Sequence, residues 1–146
     1  MSNFQVRRKT DFIVIHASAT RPSQDIGAAE ITRWHRQAGY TAIGYHFVIR
    51  RNGVVEIGRP EGVVGAHTRG FNSNSVGICM VGGVTEANVK VAENNYTPEQ
   101  FASLKQLVSR LHRNYPRAIV QGHRDFPGVA KACPSFDAKA WWAANK

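Results

Sequence analysis

The chain has 146 residues, 42% hydrophobic and 20% charged, with two cysteines and a formal net charge of +9. That balance excludes disorder and a disulfide framework, and leaves one globular domain large enough to bury a core without staples. A pI near 10.2 implies attraction to polyanions, either nucleic acid or an anionic cell envelope. The basic residues are scattered with few aromatics between them, so no specific nucleic-acid module is read from them.

Taken in order, the basic stretch "MSNFQVRRKT" precedes an apolar run of four residues, Phe12 to Ile15. A secretory signal needs an apolar region of about 7–15 residues and a membrane helix about 20. The expectation is synthesis in the cytosol, reduced thiols, no membrane insertion and a single domain over 1–146, with 1–11 a flexible or peripheral segment. "DFIVIH" reads as a short buried strand ending at His16. Beyond the loop "ATRPSQDIG", the spacing of Ile26, Ile31, Trp34 and Ala38 predicts a helix over about 26–38, capped by Ser23 or Asp25 and stopped at Gly39. In "GYHFVIRRNGVVEIGR", two apolar-rich runs flank Asn52-Gly53, a dipeptide suited to the positive φ of a tight hairpin turn.

"SVGICMVGG" lacks alternation and reads as a central strand buried on both faces, with Cys79 in the core. "YTPEQFASLKQLVSRLHRNYP" is the clearest helix: Thr97 caps, Pro98 takes the first helical position, Gln100 completes a capping box and Pro116 ends it. Its buried stripe is Phe101, Leu104, Leu107, Val108 and Leu111. "AIVQGH" is a further strand, and "FDAKAWWAANK" a short helix with Asp137 as cap. Interleaved strands and helices predict an α/β fold, a central mixed sheet flanked by helices.

Two histidines share one placement: His16 closes one strand and His123 follows another. The carboxyl ends of strands line the crevice where open α/β sheets bind ligands. Cys133 follows ten residues after His123, and two imidazoles with one thiolate are donors that suit zinc with a fourth position left for water. Three separate segments match no short zinc pattern, however, and a histidine that merely ends a strand fits the same spacing.

"IHASAT", "GYHFVIRRNG", "SVGICMVGG" and "GHRDFPGVAKACPSFD", in this order from about Phe12 to Trp142, together resemble the zinc-dependent N-acetylmuramoyl-L-alanine amidases, and among them the phage lytic enzymes. Animal peptidoglycan recognition proteins share that fold. The resemblance implies one Zn2+ ligated by His16, His123 and Cys133 plus water, with Tyr45 of "GYHF" and Lys131 of "KACP" as catalytic residues. The segment between His123 and Cys133 is longer than its phage counterpart, which bears on where Lys131 sits. His67 in "GAHTRG" is assigned either to the substrate or to a supporting place behind the ligands. Asn74 in "NSNS" is assigned to substrate binding, with turn formation competing.

His46 is expected to face away from Tyr45 across its strand, His35 and His112 to be surface or packing residues, and Trp34, Trp141 and Trp142 to anchor core or helices. The implied activity is hydrolysis of the amide between N-acetylmuramic acid and L-alanine in peptidoglycan, by a monomeric lysin without a separate wall-binding domain. It would reach the wall from the host cytoplasm after holin-mediated release. The resemblance also implies a second role, binding and inhibition of a phage RNA polymerase. The competing reading is a module of the same fold that binds peptidoglycan without cutting it.

Overall fold

The computed structural model describes residues 4–146. Five strands, β1 (Phe12–Ala17), β2 (Phe47–Ile49), β3 (Val55–Ile57), β4 (Ser75–Met80) and β5 (Ile119–Gly122), form one sheet in the order β3-β2-β4-β1-β5. β2, β4, β1 and β5 run parallel, and β3 closes the sheet as an antiparallel edge. Helix α1 (Ala28–Gln37) covers one face; α2 (Pro98–Asn114) and α3 (Ala138–Asn145) cover the other. The mixed sheet between helices is the architecture expected from the sequence.

β4 sits at the centre and all six of its residues are buried, which is why its sequence shows no polar alternation. β1 lies beside it with His16 opposite Cys79. Since neighbours along a strand alternate faces, Ile13 and Ile15 enter the core shared with α2 and α3. His16 therefore emerges on the α1 side, at the carboxyl end of the sheet.

α2 begins as predicted: the Thr97 hydroxyl accepts from the Gln100 N–H at 3.1 Å and the Gln100 side-chain oxygen accepts from the Thr97 N–H at 3.0 Å. Gln100 also does what its motif does not reveal. It is fully buried, and its amide nitrogen donates to the carbonyls of Ile49 (3.1 Å) and Val81 (2.9 Å). The helix start is thus fastened to the ends of β2 and β4, with the buried amide satisfied on both sides.

Two local expectations are corrected. Neither Ser23 nor Asp25 caps α1: the N-cap is Gly27, whose N–H donates to Glu30 (2.7 Å), while the Ala28 N–H donates to Glu56 across from β3 (2.8 Å). Two carboxylates at the positive end of the helix replace the expected hydroxyl or Asx cap. The hairpin turns through three residues rather than two, since Arg50 and Val54 close it at 2.9 Å. Gly53 alone has positive φ (+87°), as in a type I turn followed by a left-handed residue.

The chain before β1 runs along the periphery. The Arg7 N–H donates to the Gly62 carbonyl and the Val64 N–H to the Gln5 carbonyl, each at 2.8 Å. The Arg7 guanidinium is largely buried and reaches Val63 (3.1 Å) and the Tyr115 hydroxyl (3.2 Å).

Candidate functional site

At the carboxyl end of the sheet lies an open groove of about 710 Å³, lined among others by His16, Tyr45, His67, His123, Lys131 and Cys133. Each reaches it by a different route. His16 is carried by β1, between β4 and β5, and is 1% exposed. Tyr45 stands just before β2 on a backbone held from two sides. The Gly44 N–H donates to His35 Nδ1 at 2.9 Å, and the Ala66 N–H to the Gly44 carbonyl at 3.0 Å. A Cβ on Gly44 would lie 2.0 Å from the Ala66 carbonyl oxygen, so only glycine permits this approach. The Tyr45 ring then lies 5.1 Å from the His16 ring and 5.4 Å from that of His35.

His123 follows β5 in a single 3₁₀ turn, His123–Asp125, anchored by the Gly122 N–H donating to Asp125 at 2.8 Å. The chain then loops out and returns. The Arg124 N–H donates to the Cys133 carbonyl at 2.8 Å, the Tyr96 hydroxyl to the Pro134 carbonyl at 2.7 Å and the Ser135 hydroxyl to the Gly83 carbonyl at 2.8 Å. These anchors set Cys133 against β1, where its Sγ accepts the Ala17 N–H at 3.0 Å and lies 4.0 Å from His16 Nδ1. Lys131 rides the same loop and is exposed.

One donor atom from each of His16, His123 and Cys133 lies within 4.8 Å of the others, the one such group among the described residues able to hold a metal ion. Burial, with the neighbouring histidines, pushes the His16 pKa well below its ordinary value. Burial and then the nearby Lys131 charge lower that of His123. Both rings are therefore neutral at pH 7, with lone pairs available. Burial pushes the Cys133 thiol up to about 11, against the opposing pull of the Ala17 N–H and Lys131. The lysine two residues away does not by itself ionise the thiol; in the metal-free site burial wins. Burial likewise raises the Tyr45 phenol well above its usual value, so at neutral pH Tyr45 is a hydrogen-bond donor and not a phenolate.

His67 stands behind His16. Its Nδ1 lies 2.8 Å from His16 Nε2 and 2.9 Å from the Thr68 hydroxyl, and its Nε2 lies 3.3 Å from Ser75 Oγ. Gly77 leaves the floor open beneath it, since a Cβ there would come within 2.6 Å of the ring. The loop carrying His67 is ordered by Asn72, whose side-chain oxygen accepts from the N–H groups of His67 and Thr68, both at 2.8 Å. Asn74 lies apart from this cluster: its amide donates to Asp11 at 3.0 Å, at the start of β1.

His46 turns away from Tyr45 and is fully buried, with Nε2 donating to the Val63 carbonyl at 2.7 Å and Nδ1 accepting from the Gly77 N–H at 3.0 Å. Thr68, Asn72 and Ser75 were not picked out from the sequence, and His35 was expected only as a surface or packing residue. Their roles depend on contacts across the fold, and only the proximity of Thr68 and Asn72 to His67 in "HTRGFN" was a local signal.

Residues 6–136 match the family described as N-acetylmuramoyl-L-alanine amidase. The chain is 46% identical to the endolysin of Escherichia phage T7 over 98% of this chain and 92% of that one, and 44% identical to the endolysin of Klebsiella phage KP32 over the same shares. Among solved structures it resembles an N-acetylmuramoyl-L-alanine amidase of Clostridium intestinale, with a TM-score of 0.80, 30% identity and coverage of 98% and 89% of the two chains.

Proposed function

The chain belongs to the N-acetylmuramoyl-L-alanine amidase family, and on that premise we propose that it is a lytic enzyme whose amide hydrolysis depends on one zinc ion held by His16, His123 and Cys133. The bond cut joins N-acetylmuramic acid to the L-alanine of the stem peptide. The observation that carries the metal reading is the convergence of two imidazole nitrogens and one sulfur, from three distant segments, to within 4.8 Å of one another in the groove. A tetrahedral zinc with bonds of about 2.0–2.3 Å keeps its ligand atoms about 3.3–3.6 Å apart, so the set needs to close by roughly an ångström. Two neutral imidazoles and a sulfur already accepting a backbone N–H are a donor set that zinc favours over the harder divalent cations.

When bound, zinc supplies Lewis acidity that activates water as a nucleophile near neutral pH and polarises a carbonyl. The remaining work falls to this chain's own groups. As the amide carbon becomes tetrahedral, negative charge grows on its oxygen, and donors already aimed at that place lower the barrier. Tyr45, kept protonated by burial, is a donor on a ring 5.1 Å from that of His16. Lys131 brings a cation over the same groove from the exposed side. Either proton donor can also assist departure of the L-alanine amine. The groove volume lies within the range of small-ligand sites, enough for the muramoyl lactyl group with the first stem residues. The positive charge of the chain draws it toward an anionic envelope. No described helix is long and apolar enough to cross a membrane.

Mass spectrometry of murein sacculi digested with the purified protein tests the reading. Free stem peptides beginning with L-alanine are expected, lost after chelation and after Cys133→Ser, and restored to the chelated wild type by zinc. Hydrolysis that persists in a metal-free sample would reject the zinc mechanism. Intact muropeptides from zinc-loaded protein would leave only a binding module.

A further inference from the structure

The polarity of one hydrogen-bond chain can be read from its far end. The Ser75 hydroxyl has a single proton, and it is committed to the Phe71 carbonyl at 2.7 Å. Toward His67 Nε2, 3.3 Å away, Ser75 Oγ can therefore only accept. His67 in its neutral form then carries its proton on Nε2 and leaves Nδ1 bare. His16 Nε2, 2.8 Å from that bare nitrogen, must be the donor. The Thr68 hydroxyl is compatible with this direction: its oxygen lies 2.9 Å from His67 Nδ1 and 3.3 Å from His16 Nε2, where it can accept a share of the His16 N–H. With its proton on Nε2, His16 leaves Nδ1 bare, and Nδ1 is the nitrogen 4.0 Å from Cys133 Sγ.

From this we propose that His67 is a positioning residue that fixes the tautomer and ring orientation of His16, so that Nδ1 faces the metal position. The inference rests on the reading of His16 as a zinc ligand. A ligating imidazole usually gives its second N–H to a carboxylate, a carbonyl or water. Here a second imidazole takes that place, and its own direction is set by the Phe71 carbonyl two bonds further on. The arrangement is built into the fold: Ser75 opens β4, Gly77 of the same strand leaves room for the His67 ring, and Asn72 clamps the backbone at His67 and Thr68. Ser75 is fully buried and Thr68 1% exposed, so water does not compete for these bonds. His67 thus serves the site from behind the ligand and need not touch substrate.

Two measurements test this. Long-range proton–nitrogen NMR correlations on the metal-free wild type report which ring nitrogen carries each proton. Both His16 and His67 are expected as Nε2–H tautomers, and an Nδ1–H form of either would overturn the chain. Zinc affinity by chelator competition gives the second readout. His67→Gln removes the acceptor at the Nδ1 position and is expected to weaken zinc binding by about 10–100-fold. His67→Asn offers an amide oxygen near where Nδ1 stood and is expected to recover most of that loss. Equal affinities for Gln, Asn and wild type, or an Asn variant no better than Gln, would overturn the positioning role. If the wild type takes up no zinc, the metal reading itself fails. That failure is recognisable separately, because the tautomers are read without metal.

Discussion

The groove is assembled from two unlike halves. One half is framework: His16 on β1, with His67, Ser75 and His46 packed behind it, is almost wholly withdrawn from solvent and fixed by hydrogen bonds between strands and their nearest loops. The other is a returning loop, 123–135, which delivers Cys133 and Lys131 and is held where it meets Arg124, Tyr96 and Gly83. The framework half sets which way lone pairs point, because buried polar groups must all be satisfied and so have little freedom. The loop half brings charge, because an ammonium is least costly where it remains solvated. A substitution in the framework should therefore disturb stability together with chemistry, whereas one in the loop should separate them.

The sharpest way to break that contrast is to compare the two proposed electrostatic catalysts. Tyr45→Phe and Lys131→Met are each expected to lower kcat by about 10²–10³, the usual cost of removing one donor from a developing oxyanion. Lys131→Met, on the exposed loop, should leave thermal unfolding and zinc content unchanged. Tyr45→Phe removes a buried hydroxyl and should also shift the unfolding temperature slightly. Steady-state rates on sacculi, with zinc content measured alongside, check both; a Lys131→Met enzyme of full activity would remove that residue from the mechanism.

How much of each half was legible follows from how far its contacts reach. β1, β4 and α2 announced themselves through local pattern, and the Thr97–Gln100 box was visible because its partners are three residues apart. The residues of the proposed metal set were found through motifs recognised together, since their spacing alone was equally that of ordinary strand-end histidines. What escaped the sequence depends on distance along the chain: Glu56 capping α1 from β3, Gln100 holding Ile49 and Val81, Tyr96 reaching Pro134. Asn74 and Asn72 make the same point. Both stand in one polar loop, and only the fold gives the His67 backbone to Asn72 and Asp11 to Asn74. The Lys131–Cys133 pairing suggested an ionised thiol, but the dominance of burial could not be read from neighbours in sequence.

The framework half also carries a pH dependence. Burial lowers the pKa of His46 from 6.5 to about 4, so the folded state keeps it neutral where the unfolded chain takes up a proton. Stability is then complete above about pH 7 and falls as the pH drops from 6.5 toward 4, by about 3 kcal/mol at roughly 1.4 kcal/mol per unit. His16 and His67, lowered in the same direction by burial, add to the fall. Urea unfolding of the metal-free protein at pH 7.5 and pH 4.5 should reveal it, with a shallower dependence in His46→Asn. Equal stability at the two pH values would contradict the neutral, hydrogen-bonded state of this ring.

A smaller effect tests how firmly the loop half is tied down. Tyr96 is 8% exposed and its ring meets Phe101 and Phe136 edge-on, at centroid distances of 5.9 and 5.7 Å. Tyr96→Phe keeps those contacts and removes only the hydroxyl that donates to the Pro134 carbonyl, the residue next to Cys133. Leaving that buried carbonyl without its donor should cost about 1–2 kcal/mol of stability. If the loop positions Cys133 through this bond, zinc affinity should also fall a few-fold, while a zinc-saturated sample keeps nearly full activity. Lost stability with unchanged zinc affinity would instead assign the positioning of Cys133 to the Arg124 and Ala17 N–H groups, which grip the residue directly.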